Sequence, residues 1–584
     1  MTEAAVTSHP LDPSRILDAD GNLRPRLLTE SFDRAISQFP SRVAIDFLGR
    51  EWTYADLGRE VERVATGLQA LGLEKDDRFG LCLPNTPYSV ILYFAVLRVG
   101  GIVVQLNPLY SDSEVEFLIT DSGAKMVAVP DLEQLHSKVA NAWGAQDSAM
   151  QRIVLCSMAD VLPFWKSVGL RTLKRSSLAK KRDGIAYSDY SDLAAHQAKL
   201  RKVQQDPHDV AVLQYTGGTT GRPKGAMLTH ASLAANSAQM LLHVGEERDI
   251  QERTLGVLPL FHVFALTCVL NFGVEIAAEL VLLPRFEMDE VLATIKRKPP
   301  TQIFGVPTIY NAIGSLPDNK VPDLSSVRTS ISGGAPLPLE VRHQYETRTG
   351  SPVSEGYGLT EASPIITSNP LLGRRPVKDN SAGPAFPHTV VEIRNPETGR
   401  ILPQGERGEI CARGPQLMKG YWNRPGATEE TFVDGALRTG DIGYLDKDGY
   451  LFIVDRMKDL ILCSGYNVYP RVIEDAAYEH PAVKEAVAIG IPDDYRGEAP
   501  KLFIALHEGE ELDAATLHEF LKMRLSPIEM PDAYEFRDEL PKTLVGKLEK
   551  KALVAEEKAK AEAARTAATA TEAATTKAAG GNSE

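Results

Sequence analysis

Short apolar runs alternate with longer amphipathic stretches through most of the chain. The pattern predicts a helix from Leu28 to Gln38 after an N-terminal arm. Val43 to Phe47 reads as a strand, with Trp52-Thr53-Tyr54 as its hairpin partner. A helix follows to about Leu71, and then a strand from Arg78 to Leu83 that is ended by Pro84-Asn85. Val115 to Asp121 is predicted helical and Met126 to Val129 a strand. Asp209 to Tyr215, with Val210, Val212 and Leu213, reads as a buried strand. His230 to Leu242 reads as a helix with Thr229 as N-cap. Leu255 to Leu258, Glu279 to Leu283, Gln302 to Val306 and Arg328 to Ile331 continue the strands, and a helix runs from Met288 to about Lys296. Such alternation implies α/β layers with largely parallel strands. From Ala382 to Gly408 the chain is rich in Pro and Gly and reads as antiparallel β. Beyond Asp455–Asp459 it becomes a small α+β unit: helices Val472 to Glu479 and Ala514 to Leu525, strands Val483 to Ile489 and Lys501 to Leu506. Ala555 to Glu584 has no large apolar residue and reads as a partly helical or disordered tail.

Two apolar stretches resemble membrane spans in length only. Tyr88 to Leu106 is broken by Arg98 and Gly100-Gly101, and reads as a buried helix, a turn and the strand Ile102 to Leu106. Leu255 to Pro284 contains Pro259, His262, Asn271, Glu275 and Glu279, more polarity than a bilayer span tolerates. The 584 residues exceed one ordinary domain. A net charge of −14 argues against a nucleic-acid partner. The five cysteines are scattered, without a CxxC pair, which suits reduced thiols in a cytosolic protein and no structural zinc. Met1 to Arg15 shows no secretory signal pattern. Residues 157–205 interrupt the alternation. Lys166 to Arg182 holds seven basic and no acidic residues, interleaved with or flanked by Leu162, Phe164, Trp165, Val168, Leu170 and Leu173. Composition supports peripheral contact with an anionic inner-membrane surface and an ordinary solvated excursion equally.

The chemistry centres on Tyr215-Thr216-Gly217-Gly218-Thr219-Thr220-Gly221-Arg222-Pro223-Lys224-Gly225. Glycines let successive N–H groups turn toward an anion, threonines add hydroxyl donors, and Lys224 adds positive charge for a polyphosphate. The stretch is not a Walker A loop, because Arg222-Pro223 precede the lysine and Gly225 follows it. Further along come Ser332-Gly333-Gly334-Ala335, small enough to let a flat ring lie on the backbone, and Tyr357-Gly358-Leu359-Thr360-Glu361. The latter offers a stacking face, a hydroxyl and a carboxylate able to hold Mg²⁺. Thr439-Gly440-Asp441 places an acid after a turn, where it suits ribose hydroxyls. Arg456 and Lys458 sit at the composition change, and Lys547 in a turn near the end of the chain. Alone, Ser332 to Ala335 reads better as an ordinary β-turn, Tyr357 to Glu361 equally well as one, and a lysine placed like Lys547 is usually a solvated surface charge.

Their joint order resembles the adenylate-forming superfamily of acyl-CoA synthetases, adenylation domains and luciferases, over roughly residues 25 to 552. Tyr-Thr-Gly-Gly-Thr-Thr-Gly, Asn107-Pro108-Leu109-Tyr110, Gly420-Tyr421-Trp422 and Val454 to Pro470 make it similar to bacterial long-chain fatty-acid–CoA ligases. The resemblance implies an N-terminal domain (1–456) of layered sheets and helices with a β-rich subdomain, a small mobile lid (457–554) and the tail (555–584). It implies that ATP, CoA and a long-chain fatty acid are substrates. Thr216 to Lys224, including Gly217, Gly218, Thr219, Thr220 and Gly221, would wrap the β- and γ-phosphates. Gly333, Gly334 and Ala335 would line the adenine pocket, with Tyr357 stacked on the ring and Gly358 beside it. Thr360 would touch the α-phosphate, Glu361 with Thr216 would hold Mg²⁺, and Asp441 and Arg456 would bind ribose. Lys458 would be the hinge, Lys547 the catalytic lysine, and Ser464-Gly465-Tyr466 the wall of a CoA channel. His262 matches a segment near the acid and thiol paths; the other reading is a hydrogen-bonded core histidine. Leu266 stands where some members have a gating tryptophan, and Leu462 where some have a lysine.

Overall fold

The structure, a computed structural model, describes residues 15–196, 198–216, 222–245, 250–371, 375–463, 466–493, 496–543 and 547–563. By its internal contacts the chain divides into two units. One comprises Met1–Glu392, Cys411–Thr439 and Asp446–Leu451; the other comprises Ile393–Ile410, Gly440–Leu445 and Phe452–Glu584.

The first unit holds two large sheets. In the eight-stranded sheet the order is Ile365–Ser368, Ser354–Gly358, Thr329–Ser332, Gln302–Gly305, Arg253–Gly256, Glu279–Leu282, Val43–Phe47 and Arg50–Thr53. In the seven-stranded sheet it is Tyr187–Asp189, Arg152–Cys156, Met126–Pro130, Arg78–Leu81, Ile102–Gln105, Val210–Thr216 and Lys224–Thr229. Interior neighbours run parallel; the antiparallel pairs lie at the edges. Parallel strands are buried on both faces, which is why they read as apolar runs rather than as alternation.

The helix Pro87–Val99 buries every residue except Arg98. A helix apolar on all sides must have core all round it, and here Phe94 stacks on Phe32 with ring centroids 4.3 Å apart. It is the first of the two span-like stretches, and it belongs to the core. The second becomes the strand Arg253–Gly256, a helical run from Val263 to Glu275, and the strand Glu279–Leu282. Among the described residues no helix is long and apolar enough to cross a membrane. Residues 157–205 hold a strand after all: Tyr187–Asp189 extends the seven-stranded sheet in parallel with Arg152–Cys156.

Two sequence expectations change. The stretch after Tyr215 is not a loop running directly into a helix. Lys224–Thr229 is a strand, antiparallel to Val210–Thr216, with Thr216 opposite Lys224 and Tyr215 opposite Gly225. Asp441 does not follow a turn; it lies inside the strand Ala436–Leu445, where Gly440 takes φ +74°. That backbone favours glycine, and its turn-like sequence disguised the strand.

The second unit pairs Val483–Asp493 with Gly497–Leu506 in antiparallel, adds Ala533–Phe536 in parallel, and carries the hairpin Ile461–Cys463/Tyr466–Val468. Helices Pro470–Tyr478 and Ala514–Lys522 bury Ile473, Ala477, Leu517 and Leu521 against Leu502 and Ile504. A helix over 550–563 follows, with Leu553 buried and Lys550 2.9 Å from Glu474. The tail beyond residue 563 lies outside the described residues.

A buried ion cluster fixes the first helix to the end of the Val263–Glu275 run. Glu275 lies 2.8 Å from Arg26 and 2.8 Å from Arg34, and accepts a 2.5 Å hydrogen bond from Ser31. Burial alone would raise its pKa, but the two guanidiniums hold it at about 2. The carboxylate therefore contributes stability above its ordinary value of 4.5, and the contribution fades as pH falls towards 2. Arg26→Ala is expected to destabilise the protein by about 3 kcal/mol at neutral pH. Urea unfolding read by tryptophan fluorescence measures this, and the difference from the parent should shrink on acidification.

Candidate active site

Open α/β sheets bind ligands at the carboxyl ends of their strands, and the site residues of the first unit lie there. Val210–Thr216 ends at Thr216, whose Oγ1 approaches the Lys224 carbonyl at 3.5 Å. The tip residues Gly217, Gly218, Thr219, Thr220 and Gly221 lie outside the described residues. Residues 419–422 line the free edge of the hairpin. Met227 N–H donates to the Gly420 carbonyl at 2.8 Å, and Trp422 N–H to the Gly225 carbonyl at 2.8 Å. This edge pairing places the Tyr421 ring 5.1 Å from Lys224 Nζ. Its hydroxyl donates to Glu361 Oε1 at 2.6 Å. Burial, and then the Glu361 charge, push the Tyr421 pKa up, so the phenol stays a donor.

Thr329–Ser332 and Ser354–Gly358 are parallel neighbours whose carboxyl ends carry Gly333–Ala335 and Tyr357–Glu361. Gly333 N–H donates to the Gly305 carbonyl at 3.0 Å. A side chain there would press on the Phe264 ring at 3.1 Å, and Gly334 adopts φ +82°. At Gly358 the register against Ile365–Ser368 shifts, and a Cβ would fall 2.0 Å from the Pro364 carbonyl oxygen. The bulge requires glycine. It turns the chain into the tight turn Thr360–Ala362, leaving Tyr357 and Thr360 half-buried and Glu361 buried. Glu361 fits a hard cation: Oε1 is engaged by Tyr421, while Oε2 takes no hydrogen bond among the described residues.

His262 caps the helical run that it precedes, with Nδ1 accepting the Phe264 N–H at 3.3 Å. Two buried amides hold its approach. Asn85 donates to the carbonyls of Gly256 (3.0 Å) and Leu258 (2.7 Å) and accepts from Leu260 N–H (2.7 Å). Gln214, two residues before Thr216, donates to the Phe261 carbonyl at 2.9 Å. Beyond His262, Leu266–Asn271 winds as a π-turn, a geometry often found at functional sites. Thr267 Oγ1 donates to the Ser363 carbonyl at 2.7 Å, tying this run to the Glu361 turn.

The remaining candidates belong to the second unit. Arg456 Nε lies 3.5 Å from Asp441 Oδ1. Lys458 is exposed in the turn Arg456–Asp459. Lys547 is not the solvated surface charge that a lysine in such a turn ordinarily is. It is partly buried, and burial, then the positive charge of Arg456, lower its pKa to about 8. Tyr466 opens a strand with its backbone opposite Cys463; Ser464 and Gly465 lie outside the described residues.

The family model for AMP-binding enzymes matches residues 32–422, and that for the AMP-binding enzyme C-terminal domain matches residues 472–547. The chain belongs to the AMP-binding enzyme family. This AMP-binding enzyme is 40% identical, over 94% of its length and 98% of the other, to the long-chain-fatty-acid–CoA ligase of Bacillus subtilis (strain 168). Among solved structures, ATP-bound MatB from Rhodopseudomonas palustris superposes with TM-score 0.77 at 31% identity, over 90% of this chain and 98% of that one. The anthranilate CoA ligase AuaEII in complex with anthranoyl-AMP superposes with TM-score 0.82 at 26% identity, over 94% and 100%. The mixed α/β architecture, with a large N-terminal and a small C-terminal part, is that of these enzymes.

The sequence reading does not name Asn85, Gln214 or Thr267, and it holds Tyr421 only as part of the Gly420-Tyr421-Trp422 motif, with no role at the site. Gly358→Ala is expected to cost about 2–4 kcal/mol, because the clash is with backbone. Thermal unfolding and ATP-analogue binding should fall together, whereas Gly350→Ala, where nothing lies within 4 Å of the new atom but φ is +70°, should cost about 1 kcal/mol and leave binding intact.

Proposed function

We propose that this AMP-binding enzyme joins a long-chain fatty acid to coenzyme A through an acyl-AMP intermediate, releasing AMP and pyrophosphate. The observation that carries the acid is the 40% identity, across nearly the whole of both chains, to a long-chain-fatty-acid–CoA ligase. A fatty carboxylate is ionised at neutral pH, so the first step needs no strong base. The carboxylate oxygen attacks the α-phosphorus in line and pyrophosphate leaves. The obstacles are repulsion between anions and charge building on the transferring group; positioned donors and cations answer both.

Thr216 and Lys224, with the intervening glycines and threonines, hold the β- and γ-phosphates. Gly333, Gly334 and Ala335 receive adenine against Tyr357, with Gly358 shaping the turn. Thr360 donates to the α-phosphate, and Asp441 and Arg456 take the ribose. Glu361 Oε2, with Thr216, would hold Mg²⁺, which supplies charge neutralisation on the phosphates when bound. Lys547 donates to the α-phosphate during adenylation. Lys458 is the hinge of a lid (457–554) that then withdraws Lys547 from a body ending near residue 456. The lid brings Ser464-Gly465-Tyr466 to the channel for CoA, and the thiol attacks the acyl carbonyl with AMP as leaving group. His262 borders the acid and thiol paths. A reading as an aryl-acid ligase is favoured by the superposition on the anthranilate CoA ligase.

Pyrophosphate release across a series of acids, with and without CoA, separates these readings. Long-chain acids should give the highest kcat/KM and a CoA thioester. Maximal turnover of coumarate, or acyl-AMP without thioester, would sink the long-chain reading.

The depressed Lys547 pKa sets a pH dependence. The ammonium is present below about 8 and lost above it. Adenylation should therefore fall as pH rises through that value, and Lys547→Arg should remove the fall. Lys547→Ala should lower adenylation by ~10²–10³ while sparing thioester formation from supplied acyl-AMP. Equal loss of both half-reactions would contradict a lid that withdraws the lysine.

A further inference from the structure

The helix Phe164–Thr172 buries none of its residues. Leu170 is half-buried and packs on the core, as does Leu162 just before the helix. At about 100° per residue, Val168 lies about 40° from Phe164, Trp165 about 100° and Leu173 about 180°, whereas Leu170 lies about 240° away. Phe164, Val168 and Trp165 thus lie on the side of the helix away from Leu170. Phe164 is 69% exposed, Trp165 82%, Val168 40% and Leu173 87%. Phe164 and Trp165 pack edge to face with ring centroids 5.0 Å apart, and so present one aromatic wedge. Single exposed apolar residues are ordinary; Phe164, Val168 and Trp165 within about 100° of one helical face, with Leu173 exposed just past the helix end, make an interaction surface.

The same segment is rich in positive charge. Lys166 and Arg171 are held by surface pairs to Glu290 (3.1 Å) and Asp160 (2.5 Å). Lys181 pairs with Asp189 at 2.8 Å, and Arg182 with Glu133 at 3.6 Å. Lys174, Arg175 and Lys180 are exposed and make no ion pair among the described residues. Three uncompensated cations on the segment that carries the aromatic wedge, in a chain of net charge −14, complement an anionic lamellar surface. They do not complement a second copy of the same patch, where the cations would meet one another.

We infer that Phe164, Trp165, Val168 and Leu173, with the unpaired Lys174, Arg175 and Lys180 of the same segment, form a docking face for an anionic phospholipid bilayer. The aromatic and leucine side chains enter the boundary between headgroups and acyl chains, and the three cations rest on lipid phosphates. Neither part suffices alone, because the wedge is short and the charge is screened by salt. The use of such a face, drawing a water-insoluble acid from the lipid phase, rests on the long-chain reading above. The binding itself does not, so its failure would leave the ligase reading standing.

The test is co-sedimentation of the full chain with phosphatidylcholine vesicles and with phosphatidylcholine vesicles containing phosphatidylglycerol. Expected are binding to the anionic vesicles, weak binding to the neutral ones, and release at high salt. The Phe164→Ala/Trp165→Ala/Leu173→Ala variant should lose binding. Lys174→Glu/Arg175→Glu/Lys180→Glu should weaken it at least ~10-fold. Both variants should keep the parent's thermal unfolding and its pyrophosphate release with an acid dispersed in detergent, since these side chains pack on nothing in the core. Absence of vesicle binding, or binding that survives both variants, overturns the inference. So does a concentration-dependent dimer of the parent that the triple alanine variant abolishes, because the face would then be covered by a second copy.

Discussion

Parallel strands buried on both faces can meet water only at their ends. That constraint arranges the first unit. Its core is so thoroughly apolar that the helix Pro87–Val99 admits one charged residue. The candidate site residues of this unit lie where strands stop: Thr216, Gly333, Tyr357 and the segment after Gly256. Two of the polar side chains that enter the interior serve the backbone. Asn85 satisfies three groups of one segment, and Gln214 holds the carbonyl before His262. Leaving such groups unpaired in an apolar interior costs about 1–3 kcal/mol each, so the path of the His262 segment is strongly specified.

The second unit uses burial differently. Burial first, and then the positive charge of Arg456, lower the pKa of Lys547. A lysine near the boundary of ionisation is suited to meeting an anion, because an approaching phosphate restores the charge that burial weakens.

Much of this was legible beforehand. Apolar runs marked the parallel strands, and the order of the motifs marked the nucleotide chemistry. What escaped did so for local reasons. Lys224–Thr229 was read as loop because Gly225 and the preceding proline weigh against a strand, whereas pairing with Val210–Thr216 outweighs propensity. Asp441 was placed after a turn because Gly440 is a turn residue; here its positive φ is accommodated within a strand. Gly358 looked like part of an ordinary turn until the Pro364 carbonyl came into view six residues on. Asn85, Gln214 and Thr267 act across 175, 47 and 96 positions of sequence, and no spacing rule links such partners. The exposed face of Phe164–Thr172 was a matter of two equal compositions until its orientation was known.

The hydrogen bond from Tyr421 to Glu361 restricts the carboxylate. A glutamate side chain is otherwise free to rotate, and ordering it in advance spares a ligand that meets it part of the entropy cost of binding. Because the phenol is held on the edge segment 419–422, which hydrogen-bonds to the hairpin, the position of Glu361 depends on a pairing between backbones.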